Sequence, residues 1–289
     1  MPDNNRRRDF LRAMTLTGLA AGGLPSARAD AEGKTPSWCP PRKGAGKDKL
    51  PDSVMLQERT RREVRLALAG GTLKAAIIPT GSTEQHNEHL AMVMDTAGAL
   101  LISQQAALNL YPEVVVTPPV SIGVSPHWMN RRGTLTLRKE IFQAVVQDIC
   151  ESLVAHGIKT ILIVNGHGGN IKPLAEVVPR FREKLGVTLE ACSYWDSFRG
   201  EQATDFVDTG SIPSHAAEFE TSIALAAFPE RVRYERVDHD RAKLTISEKE
   251  RKWDKATFEE SKLASPEKGE RIIVHAIGWV TAKLTGMME

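Results

Sequence analysis

Lys74-Ala75-Ala76-Ile77-Ile78-Pro79-Thr80-Gly81-Ser82-Thr83-Glu84-Gln85-His86 is the stretch that decides the fold. Ala75 to Ile78 present no polar face, so the strand they form is covered on both sides, as strands of a parallel sheet are. Pro79 and Gly81 end it, and a carboxylate and an imidazole follow at once. The same grammar returns downstream, where Thr160-Ile161-Leu162-Ile163-Val164 runs into Asn165-Gly166-His167-Gly168-Gly169-Asn170. Two shorter strands fit Val114–Thr117 and residues 187–193. Helical spacing predicts helices over 56–69, 95–109, 138–156, 172–185, 216–227 and 270–285, several of them closed by glycine or proline. Strand and helix alternate, which predicts an α/β fold with a parallel sheet covered by helices on both faces. Residues 238–268 are charged and show no apolar period, and are expected to be an irregular surface excursion.

Composition narrows the function. The chain has 289 residues, 41% hydrophobic and 26% charged, which fits a globular protein and excludes a disordered one. A net charge of +2 excludes a strongly basic nucleic-acid binder. No run of 18 apolar residues exists, so no stable membrane insertion is expected. Three cysteines exclude a disulfide scaffold or a cysteine-rich zinc knuckle, and Cys150, inside a helical pattern, reads as a buried free thiol.

The N-terminus reads separately. Arg6-Arg7-Arg8-Asp9-Phe10-Leu11-Arg12, an uncharged stretch to Leu24 and Ala27-Arg28-Ala29 form a basic region, a short apolar region and a small-residue cleavage site. The Arg-Arg-x-Phe-Leu-Arg core resembles a twin-arginine export signal. Residues 1–29 hold five Arg and two Asp, so their removal takes +2 to −1. The expected organisation is a signal peptide at 1–29, a Pro/Gly/Lys-rich arm at 30–53 and a catalytic domain at 54–289. The expected location is the periplasm or the exterior, reached folded through the twin-arginine export machinery, a route that suits a protein loaded with metal beforehand.

Ligands in parallel sheets bind at the carboxyl ends of strands. There the chain places Glu84, His86 and Asp95, then His167, and later His215-Ala216-Ala217-Glu218-Phe219-Glu220-Thr221-Ser222. Imidazole nitrogen and carboxylate oxygen suit a borderline divalent ion. One carboxylate such as Asp95 can bridge two ions about 3.5–4 Å apart.

These blocks, with a weaker one at Gly123-Val124-Ser125-Pro126-His127 and Gly133-Thr134-Leu135, resemble the creatininase family of metal-dependent amidohydrolases over about residues 54–285. The resemblance implies a three-layer sandwich with a mostly parallel central sheet. It implies two divalent ions, zinc or manganese with iron as a further option, and hydrolysis of a non-peptide C–N bond in a small-molecule amide. Glu84 and His167 would serve one ion, His86 the other and Asp95 both, with His215 donating a proton to the leaving nitrogen. Creatininase has a glutamate ligand where this chain has Gly169. The resemblance assigns the vacancy to Glu218, with Glu220 as the rival. Ser125, His127 and Arg132 are the expected substrate contacts, Arg132 with its neighbour Arg131 as clamps for an acidic group. The resemblance also implies a homo-oligomer. A deformylase or small-peptide hydrolase, or an exported metal-binding protein without catalysis, are the alternatives.

Overall fold

The structure is a computed structural model and describes residues 53–198, 201–238 and 246–289, all within one compact unit. The expected export signal, and the arm except for Ser53, lie outside the described residues. Four parallel strands form the sheet: β1 (Ala75–Thr80), β2 (Val114–Val116), β3 (Thr160–Asn165) and β4 (Thr188–Ser193), in the order β2-β1-β3-β4. Register pairs Ala75 with Val114 and Thr160, and Thr160 with Thr188, so the strands end together at Thr80, Asn165 and Ser193. That common edge is where the ligand-bearing segments begin.

The helices are α1 (Arg61–Ala69), α2 (Met94–Asn109), α3 (Lys139–Ala155), α4 (Ile171–Leu185), α5 (Glu218–Ala227), α6 (Glu248–Ser261) and α7 (Pro266–Met288). Side chains alternate across a strand, so Ala76, Ile78, Ile161 and Ile163 pack on one face against Phe142 and Val146 of α3 and Leu174 and Phe181 of α4. On the other face α2 lies against β1, and α7 packs on α2 and α5. The result is the expected helix–sheet–helix sandwich. No helix among the described residues is long and apolar enough to cross a membrane. Cys150 and Cys192 are both buried and free.

The expectation for 238–268 is corrected: residues 248–261 form α6. It starts on a capping box, in which the Ser247 hydroxyl accepts the Glu250 N–H and the Glu250 carboxylate accepts the Ser247 N–H. The face it buries carries Asp254, Thr257 and Ser261, which are polar, so no apolar stripe marks it in sequence.

Candidate metal centre

Each side chain of the cluster is delivered by backbone that has little freedom. Glu84, Gln85 and His86 follow β1, and Asp95 opens α2. Gly166, just after β3, lets α2 come down onto the strand end. A Cβ there would stand 2.1 Å from the Asp95 carbonyl oxygen, so only glycine allows Asp95 to lie beside His167. α5 brings Glu220, and the segment before it brings Pro213 and His215. Ala216 adopts φ 52°, and its N–H donates to Glu220 Oε2 at 2.7 Å.

The groups converge closely. Asp95 Oδ1 lies 3.0 Å from His86 Nε2, and Asp95 Oδ2 lies 3.0 Å from His167 Nδ1. Glu84 Oε1 is 3.3 Å from His167 Nδ1, and Glu220 Oε2 is 3.5 Å from His86 Nε2. The far nitrogens are pinned. His86 Nδ1 meets the Glu84 carbonyl at 3.0 Å, and His167 Nε2 meets Ser125 Oγ at 3.0 Å and the Val124 carbonyl at 3.2 Å. Such bonds fix the tautomer and aim the other nitrogen at the cluster, as around metal-ligating histidines. Three overlapping groups have ligand atoms within 4.8 Å of one another: Glu84, His127 and His167; Glu84, His86 and His215; and His86, Asp95 and Glu220.

Electrostatics test whether the residues fit cations. Glu84, Asp95 and Glu220 are all buried, and Glu84 Oε2 has no hydrogen-bond partner. Burial pushes the Glu220 carboxyl up to about 7, with Asp95 adding repulsion against the pull of His86. Burial opposes a charge on His86, but Asp95 and Glu220 overcome it and raise this histidine to about 10. His167 rises likewise to about 10 through Asp95 and Glu84. Three buried carboxylates facing imidazole nitrogens make a donor set of the kind that suits divalent cations. The residues fit divalent cations.

His215 is held differently. Its Nε2 meets the Gln85 carbonyl at 2.8 Å, its Nδ1 stands 3.6 Å from Glu84 Oε1, and its ring stacks on Trp128 at 4.9 Å. Burial, aided by the charge on His86, pushes it down to about 3, so it is neutral at pH 7.

The structure brings Glu84, His86, Asp95, His167 and His215 together. It removes Glu218 from the ligand set. Glu218 points away and accepts the N–H groups of Asp208 and Thr209, each at 2.9 Å, and the Lys268 ammonium at 2.5 Å. Two residues along a helix turn the side chain by about 200°, and Glu220 takes the inward position. Gly169 cannot carry a ligand, because a Cβ there would stand 2.1 Å from the Val124 carbonyl. Ser125 is buried behind His167 and hydrogen-bonded to Ser82 at 2.7 Å, so it positions the histidine instead of meeting substrate. Arg132 is exposed and outside the cleft lining, while Arg131 is buried against Asp254 at 2.5 Å. His127 does line the cleft, which encloses about 420 Å³ together with Trp128, Trp195, Gly168 and Pro213. Sequence reasoning missed the tryptophans, which belong to none of the ligand-bearing blocks.

A family model described as creatinine amidohydrolase (Creatininase) matches residues 57–284. The chain belongs to the creatininase family. It is an amidohydrolase by class. Creatinine amidohydrolase of Pseudomonas putida is 27% identical over 242 residues, 76% of this chain and 92% of that protein. A mycofactocin precursor peptide peptidase of Mycobacterium ulcerans (strain Agy99) is 28% identical over 174 residues, 57% of this chain; the match spans 63% of the peptidase. A crystal structure of creatinine amidohydrolase superposes with a TM-score of 0.71 at 26% identity, covering 82% of this chain and 98% of the other. Solved creatininases at TM-score 0.68 include a zinc–zinc form, 25% identical, and a manganese form, 26% identical, each covering 81% of this chain and 98% of its own.

Proposed function

We propose that this creatininase-family protein is an exported amidohydrolase that cuts a non-peptide C–N bond, in a cyclic amide or amidine, at a site for two divalent ions. One observation carries the reading: the two oxygens of Asp95 each face a different histidine at 3.0 Å, the placement a bridging carboxylate needs. Glu84, His167 and Asp95 would hold one ion, and His86, Glu220 and Asp95 the other, with zinc or manganese suited to the nitrogen and oxygen donors. Ions held there would acidify a water and polarise a carbonyl.

The chain's own groups do the rest. His215 is neutral, and its Nδ1 faces the cluster, so it can first accept a proton and then pass it to the leaving nitrogen. Gln85 fixes its orientation through the carbonyl on Nε2. His127 stacks on His167 with ring centres 6.0 Å apart and stands at the mouth, placed to meet substrate. Trp128 and Pro213 contribute apolar surface to the cleft lining.

The likeness to mycofactocin precursor peptide peptidases supports a second reading, hydrolysis of a C–N bond in a short peptide. One experiment decides. Purified protein is stripped with chelator, reloaded with zinc or manganese, and given a panel of lactams, formamides, small amides and short peptides. The expectation is about two ions per chain and ion-dependent turnover of a cyclic amide. Two bound ions with no turnover of any compound would leave a metal-binding protein without catalysis. Export is supported by the residues 6–12 pattern, and Arg7→Lys with Arg8→Lys is expected to retain the protein in the cytoplasm. A homo-oligomer is supported by family membership alone, and light scattering tests it.

A further inference from the structure

We propose that Trp128, backed by Trp253 of α6, is the specificity wall of this site and selects amides that carry a planar, uncharged group beside the scissile bond. The proposal rests on the amidohydrolase reading and deepens it.

Three rings pack against one another beside the cluster, the two tryptophans tilted by 41°. His215 lies 4.9 Å from Trp128 at 23° between planes, Trp128 lies 5.4 Å from Trp253, and Trp253 lies 5.9 Å from His215 at 28°. Trp128 lines the cleft, and Trp253, about a third exposed, supports it at the rim. An indole face offers a large, rigid, apolar platform for flat groups.

The wall is fixed in place. Arg131 Nη1 meets Asp254 Oδ2 at 2.5 Å, with both side chains buried, which ties the segment after Trp128 to the residue after Trp253. The Arg131 guanidinium also lies 5.7 Å from the Trp128 ring centre. On the other side, Asn87 Nδ2 donates to the Asp254 carbonyl at 2.7 Å and to Thr257 Oγ1 at 3.1 Å, which ties α6 to the loop bearing Glu84 and His86. α6 is therefore anchored to the Trp128 loop and to the loop bearing Glu84 and His86, and Arg131 and Asp254 are positioning residues.

The class of substrate follows from what the lining holds. No lysine or arginine lines the cleft among the described residues. The two arginines that a carboxylated substrate would need are elsewhere: Arg131 is engaged with Asp254, and Arg132 is exposed outside the lining. A group extending from the reacting amide meets indole and the Pro213 ring, with no cationic side chain to pair a carboxylate.

The test uses full-length zinc-loaded protein and three amide-like chelators: acetohydroxamic, benzohydroxamic and 4-carboxybenzohydroxamic acid. Calorimetry gives their affinities; metal content and melting temperature are measured on every variant. Benzohydroxamate is expected to bind at least about tenfold tighter than acetohydroxamate, a difference of about 1.4 kcal/mol. The carboxylated analogue is expected to lose most of that gain. Trp253→Ala, at the rim, and Trp128→Leu should each reduce the preference to about threefold or less with two zinc ions retained. Asp254→Asn should reduce it partly. Equal affinities for the acetyl and benzoyl compounds in the wild type overturn the wall, and so does a preference that survives both tryptophan substitutions. Failure of all three chelators to bind zinc-loaded protein overturns the metal-site reading and takes this inference with it.

Discussion

Glu218 and Glu220 sit one helical turn from His215, yet their neutralisation should act with opposite sign on the metal-free protein. Glu220 ionises at about 7 when folded and at 4.5 ordinarily, because it is buried beside Asp95. Between those values the unfolded chain has released a proton that the folded chain still holds, so stability falls as pH rises through this window and stays lower above about 7. The difference of about 2.5 units corresponds to about 3 kcal/mol at pH 8. That is a ceiling, since Glu220→Gln also gives up attraction to His86. The amide can still accept the Ala216 N–H. Metal-free Glu220→Gln is therefore expected to be more stable than wild type at pH 8 by about 1–3 kcal/mol, a rise of several degrees in Tm for a domain this size. At pH 4 the two should coincide. Divalent ions should invert the order, because the carboxylate is then a ligand. For Glu218, burial raises the carboxyl, but Lys268 and the Thr209 and Asp208 N–H groups outweigh burial and hold it below its ordinary value. Glu218→Gln should lower Tm with or without ions and leave metal content unchanged. Calorimetric melts at pH 4 and 8, with chelator and with zinc, check both. A metal-free Glu220→Gln that melts below wild type at pH 8, or that gains as much from zinc as wild type, would refute the reasoning.

Asp95→Ala should lose both ions, since each of its oxygens serves a different histidine; elemental analysis showing unchanged metal content would end the bridging assignment. His86 and His167, raised to about 10 in the metal-free site, must shed their protons when ions bind. Calorimetry in two buffers at pH 7.5 should therefore register about two protons released per chain, and affinity should climb with pH up to about 10. His215→Asn should keep both ions and the melting temperature while slowing turnover by about 10²–10⁴, and near-normal turnover with ions bound would remove its proton-transfer role.

The strands and their ends were legible because Ala75–Ile78 and Ile161–Val164 have no polar face, and because glycine marks where α2 must approach. Glu84, His86 and His167 were legible for the same reason, each following a strand end by a few residues, and Asp95 opens the next helix. Glu218 and Glu220 were not separable in sequence, because both occupy the first turn of α5. The left-handed Ala216 sets the phase of that turn, and the partner of Glu218 is Lys268, 50 residues away. The wall was invisible for a related reason. Trp128 and Trp253 lie far apart in the chain, and α6 buries polar residues, so no apolar period announces a helix that returns to the site.

Gly169 carries an evolutionary consequence. With a Cβ at that place, the Val124 carbonyl would be overrun at 2.1 Å and His167 Nε2 at 2.4 Å. A sequence cannot therefore drift from a ligand at 169 to a ligand at 220 by holding both for a while. One arrangement must be dismantled, with the Val124–Ser125 turn displaced, before the other is assembled. Lineages using the two sets should be separated by a gap with few viable intermediates. Residues 123–125, 169 and 220 should change together or not at all, and a designer wishing to cross that gap would have to rebuild the turn before adding the acid.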